Sequence, residues 1–183
     1  MLGAAELRLG EHNKHLMDQL HKGVATMDLD LTYDRLGNRL RAIGDVQITY
    51  GRMGNRPRTL GQWTLEYHNL GNRLRAIGGV QITYGRMGNR PRTLGQWTLE
   101  YSRLGNLQCI GPYQVGADWI GNRLRTIGPL TIFYDRMGNR PARVHLPDEY
   151  RPQWNGLLLA LFLMLYQDMK AYQEAGMRWA AGM

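Results

Sequence analysis

A 17-residue repeat constrains this chain more than any other feature of its sequence. The segment from Gly37 to Tyr67 reads GNRLRAIGDVQITYGRMGNRPRTLGQWTLEY, and the segment from Gly71 to Tyr101 differs from it only by Gly79 in place of Asp45. Similarity at a fixed short period indicates one structural unit stacked on copies of itself. The central part of the chain is therefore expected to be a repeat array rather than a conventional layered globule.

Two kinds of turn alternate along the array. Gly-x dipeptides such as Gly44-Asp45 favour two-residue hairpins in which the glycine takes a positive φ. Segments of the form Arg-Met-Gly-Asn or Arg-Leu-Gly-Asn favour a three-residue turn with a bulge. Between the turns, segments such as Val46 to Tyr50 alternate apolar and polar side chains, which is typical of a half-buried strand. The pattern predicts an antiparallel β-meander of about twelve to fourteen strands.

These turns also predict a register and a face. Ile43 is expected opposite Val46, Arg41 opposite Ile48, and Ile48 opposite Arg58 on its other side. Because side chains alternate between the faces of a sheet, one face would carry a ladder of arginines and tyrosines as its interaction surface. Its members are Arg39, Arg41, Tyr50, Arg56, Arg58, Tyr67, Arg73, Arg75, Tyr84, Arg90, Arg92 and Tyr101. The expected architecture is a single-layer sheet partly covered by helices, or a ribbon wound into a spiral.

The chain divides into four segments. Residues 1–27 are expected to form an N-terminal amphipathic helix or cap, residues 28–144 the β-hairpin array, residues 145–153 a linker and residues 154–183 a C-terminal helix. His12, His15 and His21 on the first segment have loose helical spacing but no cysteine partner. Solvated or packed histidines are therefore expected there rather than a metal site.

One repeat departs from the pattern. Leu107, Cys109 and Ala117 take the positions of Arg39, Arg41 and Tyr50, with one residue deleted before Gly111, so an apolar patch interrupts the ladder. The segment LLLALFLMLY at residues 157–166 must be buried, and it is too short for a membrane span, which needs about 20 residues. The predicted helix-docking or oligomer patch comprises Leu107, Cys109, Tyr113, Val115, Leu157, Leu161, Phe162 and Leu165. Packing within one chain, an interface with a second copy, and anchoring at a membrane surface all remain open.

The array is rich in arginine. Residues 33–143 contain 17 arginines, no lysine and six acidic residues, and the whole chain has a formal net charge of +8. A guanidinium stacks on aromatic rings and binds carboxylate or phosphate in a forked geometry, which lysine does not. The ladder can therefore be structural, with each arginine over a tyrosine ring, or it can bind a polyanion such as RNA or single-stranded DNA.

Two turns resemble a known family. Tyr33-Asp34-Arg35-Leu36-Gly37-Asn38-Arg39 and the segment YDRMGNR at residues 134–140 are similar to the YD (Rhs-type) repeat, whose core is Tyr-Asp followed by a Gly-containing hairpin turn. The resemblance covers residues 31–144, although Gly51, His68, Gly85 and Ser102 replace the aspartate in four units. Members of that family build β-hairpin ribbons that spiral into shells, or form adhesion modules. The resemblance implies hairpin ribbon geometry and a non-enzymatic role.

Few features of the sequence indicate catalysis. It contains no Gly-rich phosphate loop, paired-carboxylate site or Ser/His/Asp set, so we expect no enzymatic activity, no cofactor and no metal. A single cysteine excludes an internal disulfide framework, and the first residues lack signal-peptide features, so a cytoplasmic location is expected. The leading prediction is an interaction or assembly module that self-associates through its C-terminal helix or exposed sheet edges. The alternative is sequence-nonspecific binding of RNA or single-stranded DNA.

Overall fold

The computed structural model describes residues 25–35, 39–52, 56–69, 73–86, 88, 90–118, 123–136 and 140–174. Residues 1–24 of the expected N-terminal helix or cap, with His12, His15 and His21, lie outside the described residues, and so does the C-terminal segment from residue 175 onward. Thr26 and Met27, which were assigned to that cap, belong to the first strand instead.

The array forms fourteen antiparallel strands, which confirms the predicted hairpin meander. The strands are β1 Thr26–Tyr33, β2 Leu40–Ile43, β3 Val46–Tyr50, β4 Pro57–Leu60, β5 Trp63–Tyr67, β6 Leu74–Ile77, β7 Val80–Tyr84, β8 Pro91–Leu94, β9 Trp97–Tyr101, β10 Leu107–Ile110, β11 Tyr113–Ala117, β12 Leu124–Ile127, β13 Leu130–Tyr134 and β14 Pro141–Pro147. A 3-10 helix (Asp148–Gln153) then leads into the helix α1 (Trp154–Glu174).

The sheet closes on itself. Strand β1 pairs with β14, with Leu29 opposite Val144, so the fourteen strands form a barrel instead of the flat or spiralling sheet that the sequence predicted. On the outer wall, Arg143 Nε donates to Asp30 Oδ1 at 2.9 Å across this seam. Closure pairs the two end strands with each other and leaves the described sheet without an edge strand.

The Gly-x turns match their prediction. Ile43 lies opposite Val46, and Gly44 has a φ of 55°, a value that a side chain bearing a Cβ rarely adopts. The corresponding glycines of the other Gly-x hairpins have φ between 54° and 58°. The turn type and the register next to these turns were therefore readable from the dipeptide alone.

The register at the arginine-containing turns was predicted wrongly. Ile48 lies opposite Leu60 and not opposite Arg58. The turn is one residue longer than expected, because in the equivalent turn the backbone N–H of Asp34 donates to the Arg39 carbonyl at 3.0 Å around four residues. A β-bulge adds a second shift, since Arg58 is the extra residue between the paired Pro57 and Thr59. Arg58 is consequently exposed on the outer wall while Ile48 is buried inside.

The same bulge recurs in the other repeats. Arg41 lies between the paired Leu40 and Ala42 and is exposed, whereas it was expected to share a face with the buried Ile48. The inner surface of the barrel is therefore apolar, and the arginines of the bulges lie outside it.

Helix α1 lies inside the barrel. Its residues from Leu157 to Leu163 are all buried, and seven consecutive positions cover every side of a helix. At its start, a Cβ added to Gly156 would come within 2.5 Å of Trp97 on β9, and farther along the Tyr166 ring packs on Tyr67 of β5. None of the described helices is long and apolar enough to cross a membrane.

Candidate functional site

The two ends of the barrel differ in charge. The Gly-x turns and the start of α1 lie at one end, where Gly156 meets Trp97 beside the turn. The opposite end, which we call the arginine rim, carries an arginine immediately before six of the strands. These residues are Arg39, Arg56, Arg73, Arg90, Arg123 and Arg140.

Each of these arginines covers a tyrosine. The guanidinium carbon lies between 4.6 and 5.9 Å from the ring centroid of the tyrosine that ends an adjacent strand. The tyrosine hydroxyl in turn donates to a backbone carbonyl of the neighbouring strand at 2.7 to 2.9 Å. The six tyrosines are Tyr33, Tyr50, Tyr67, Tyr84, Tyr101 and Tyr134.

Burial controls the chemistry of these rings. Desolvation raises the pKa of Tyr84 and of Tyr101 to about 12, although the arginine over each ring opposes the shift. The pKa values of Tyr33, Tyr50, Tyr67 and Tyr134 are raised further for the same reason. The arginine-over-tyrosine geometry that a structural ladder requires is present at all six rings, and the rings, covered and hydrogen-bonded, are poorly placed to stack on bases.

The predicted interaction face is divided into three parts. Arg39, Arg56, Arg73 and Arg90 belong to the arginine rim, while their tyrosine partners line its inner side. The remaining predicted arginines lie at the bulges of the outer wall, and they are Arg41, Arg58, Arg75 and Arg92. The guanidinium of Arg41 also reaches the Tyr50 ring, 5.4 Å from its centroid. Arg75 forms an ion pair with Glu66 there.

Half of the rim arginines have an acidic partner. Asp34, Asp118 and Asp135 lie 3.8, 3.7 and 3.7 Å from the Nε atoms of the arginines that follow them by five residues, namely Arg39, Arg123 and Arg140. Asp34 also accepts a hydrogen bond from the backbone N–H of Arg39 at 3.3 Å. The aspartate that directly follows the preceding strand thus offsets the charge of these three arginines.

The other half lies in one arc and lacks this partner. Gly51, His68 and Gly85 occupy the aspartate position before Arg56, Arg73 and Arg90. Within the part of the chain that the structure describes, these three arginines form no ion pair. They precede β4, β6 and β8, which follow one another around the barrel with one strand between each pair, so the positive charge is concentrated on one side of the rim.

A polar cleft lies at one end of this arc. Arg56, Arg58 and His68 line a space of about 480 Å³, together with Asn69 and Thr64. The Nε2 atom of His68 is buried and finds no hydrogen-bond partner among the described residues. Two guanidinium groups and an unpartnered imidazole nitrogen form a site that fits an anionic oxygen group.

The predicted apolar patch forms largely as expected, within one chain. Leu157, Leu161, Phe162 and Leu165 are fully buried inside the barrel. Leu107, Tyr113 and Val115 pack against the same core. The apolar surface of α1 is therefore buried by the barrel of the same chain, and the two end strands pair with each other. The C-terminal helix and the sheet edges, which were the two predicted surfaces for self-association, are thus both used within the molecule.

Cys109 does not join this patch. It pairs with Gln114 and Glu100, just as Ala42 pairs with Gln47, and it belongs to the outer wall. Cys109 therefore corresponds to Ala42, and Leu107 corresponds to Leu40. The residue deleted from this repeat is therefore the rim arginine, between Asn106 and Leu107. The sequence comparison, which matched Leu107 to Arg39 and Cys109 to Arg41, had placed the deletion between Cys109 and Gly111.

A cavity of about 350 Å³ opens under the rim at this repeat. Its wall comes from the ends of β8 to β12, and the inner side comes from Met164, Gln167 and Asp168 of α1. Burial raises the pKa of Asp168 to about 6, because the ionised carboxylate is poorly solvated there. Sequence reasoning missed Asp168, although an acidic residue two positions after an uninterrupted apolar segment was a usable signal.

No model of a protein family matches this chain, and searches of curated proteins and of solved structures found no similar protein.

Proposed function

We propose that this protein is a non-enzymatic binding module that holds single-stranded RNA or DNA by its phosphates at the arginine rim. The observation that carries the proposal is the arc of Arg56, Arg73 and Arg90, three guanidinium groups with no acidic partner in the described residues. Each is held over a tyrosine ring, so little side-chain freedom remains to be lost on binding. The net charge of +8 adds a long-range attraction for polyanions.

The geometry favours a flexible strand and predicts little base preference. The arginines lie on a curved rim, which a single strand can follow, whereas duplex DNA is stiff over about 150 base pairs. The tyrosine rings are covered by arginine and donate their hydroxyls to backbone carbonyls, so base stacking contributes little. Affinity would come from phosphate contacts, which do not depend on sequence.

Restoring the missing aspartates is a direct test. In the double variant Gly51→Asp and Gly85→Asp, each new carboxylate should pair with Arg56 or Arg90 as Asp34 pairs with Arg39. Neither glycine has a positive φ, so aspartate fits the backbone. We expect binding of a fluorescent oligonucleotide at about 50 mM salt to weaken at least tenfold. The slope of log K against log salt should become shallower by about 1.4, because each phosphate contact to a single strand contributes about 0.7.

A matched control adds the same charge at the opposite end. The double variant Gln62→Asp and Gln96→Asp places two carboxylates in Gly-x turns, at the position that Asp45 occupies in another repeat. It should bind the oligonucleotide within about threefold of the unmodified protein, because this end is outside the proposed contact. Equal losses in the two doubles, or no binding by the unmodified protein at low salt, would rule out the arginine rim as the binding surface.

A further inference from the structure

The only repeat of the described array without an arginine–tyrosine pair has lost both of its members. Strand β10 begins six residues after Tyr101, whereas in the other repeats the corresponding strand begins seven residues after the end of the preceding one. The missing residue is the rim arginine. Ala117 stands where Tyr50 stands in its own repeat, since both end the second strand of a hairpin. This repeat therefore lacks both the tyrosine ring and the rim arginine that would cover it.

The loss of these two side chains leaves a cavity at the position that the tyrosine ring occupies in the other repeats. Leu107, Val115 and Met164 line it on the apolar side, and its volume is about 350 Å³, within the range of small-molecule sites. In the other repeats a tyrosine hydroxyl donates to the carbonyl of the residue that begins the first strand of the hairpin, as Tyr50 does to Leu40 at 2.9 Å. Leu107 is the equivalent residue here, and Ala117 has no hydroxyl to reach it.

We propose that this cavity binds a small phenol, whose ring takes the place of the absent tyrosine side chain. Cavities that lack a large side chain and have apolar walls can accept a small aromatic molecule. Two acceptors are available to the hydroxyl, the Leu107 carbonyl and the Asp168 carboxylate, and both residues line the cavity. A hydroxyl donor satisfies this site better than a plain hydrocarbon ring does.

The charged groups that line the cavity favour a neutral ligand over an ionic one. Arg123 lines one side of it and pairs with Asp118. Arg90 lines the other side, where it stacks on Tyr101 at 5.8 Å without an acidic partner among the described residues, and the Asp168 carboxylate of opposite charge lines the same cavity. No charged group near Asp168 contributes to its pKa shift, which arises from desolvation alone. A phenol adds no charge to this balance and supplies the hydrogen bond.

The test compares two ligands and two proteins. Titration of p-cresol into the unmodified protein, followed by protein NMR shifts, should show binding with a Kd of about 1 mM or tighter, as expected for a ligand of this size. Toluene, which has the same ring and methyl group without the hydroxyl, should bind several-fold more weakly. The variant Ala117→Tyr fills the cavity with the residue of the other repeats and should bind p-cresol at least tenfold more weakly.

A control variant and a second cavity-filling variant complete the experiment. Phe133→Tyr adds a tyrosine hydroxyl on the outer wall, where Phe133 is 49% exposed, and should leave p-cresol binding unchanged. If Ala117→Tyr does not fold, Ala117→Leu fills part of the same space and should also weaken binding. The proposal is overturned if p-cresol does not bind, if toluene binds equally well, or if filling the cavity has no effect. No nucleic acid is present, so the result is independent of the function of the arginine rim.

Discussion

Replacing Phe162 with alanine should lower the free energy of unfolding by about 3–5 kcal/mol, the range measured for large-to-small changes in protein cores. Phe162 is fully buried in α1, its ring stacks on Tyr166 at a centroid distance of 6.1 Å, and the barrel surrounds it. A closed barrel has little freedom to contract around a lost side chain, because its circumference is set by the number of its strands. Urea denaturation followed by tryptophan fluorescence would measure the change.

The chain supplies a matched control, since it contains only two phenylalanines. Phe133 lies on β13 with its side chain on the outer wall, where it is 49% exposed. Its replacement by alanine should cost less than about 1 kcal/mol. If the two variants lost similar amounts of stability, α1 could not be the central packing element of the barrel.

Replacing Asp168 with asparagine should stabilise the protein at pH 8 by about 2 kcal/mol and leave it nearly unchanged at pH 4. Burial raises the pKa of Asp168 from 3.8 to about 6, so folding favours the protonated carboxyl. The native protein therefore loses stability as the pH rises from about 4 through 6, when the carboxyl becomes charged inside the cavity. Asparagine cannot ionise and avoids this loss. The expected gain of about 2 kcal/mol is smaller than the full pKa shift would give, because the carboxyl is partly exposed to the cavity and its charge is partly screened.

Unfolding by urea at pH 4, 6 and 8 would trace this dependence for both proteins. The difference between variant and unmodified protein isolates Asp168, because all other titrating groups are shared. Asp45→Asn is the control, since Asp45 is exposed in a Gly-x turn. It should change the free energy of unfolding at pH 8 by less than about 0.5 kcal/mol, as expected for a substitution at an exposed surface position. A constant difference for Asp168→Asn would mean that its carboxyl is solvated in the folded protein.

Sequence reasoning succeeded where the cause was local. A Gly-x dipeptide between Ile43 and Val46 determines its own turn through the φ of glycine, and the alternation after it determines a strand. The start of the C-terminal helix at Trp154 was also predicted correctly, because two prolines of the predicted linker, Pro147 and Pro152, precede it in the sequence. Strand count, turn positions and the start of α1 were thus available without the structure.

The remaining features depend on residues that are distant in sequence. The arginine-containing turn is one residue longer than expected, and a bulge follows it at Arg58. Together these two shifts place the Arg58 side chain on the outer wall, whereas the predicted register had placed it on the same face as Ile48. Closure depends on the accumulated twist of all the strands, which no single repeat reveals. The apolar segment beginning at Leu157 did contain the signal for a surrounded helix, because it is apolar on every side.

In the candidate sites, too, local features could be predicted and features that depend on distant residues could not. The arginine–tyrosine pairs were predicted from their spacing, but the separation of the rim arginines into paired and unpaired sets required knowledge of which aspartate reaches which guanidinium. The cavity beside Ala117 was hidden by the misplaced deletion. Counting residues from Tyr101 to Leu107 would have located it, since that interval alone among the hairpin connections is one residue short.

Closure around a helix also limits how this gene product can change in length. The segments Gly37 to Tyr67 and Gly71 to Tyr101 are nearly identical, so unequal recombination between their coding sequences would add or remove four strands at a time. An open array tolerates such changes, because each unit contacts only its neighbours. Here the ring must still fit the same central helix, whose diameter does not vary with copy number. The number of repeats in this barrel is therefore constrained by the helix that it encloses.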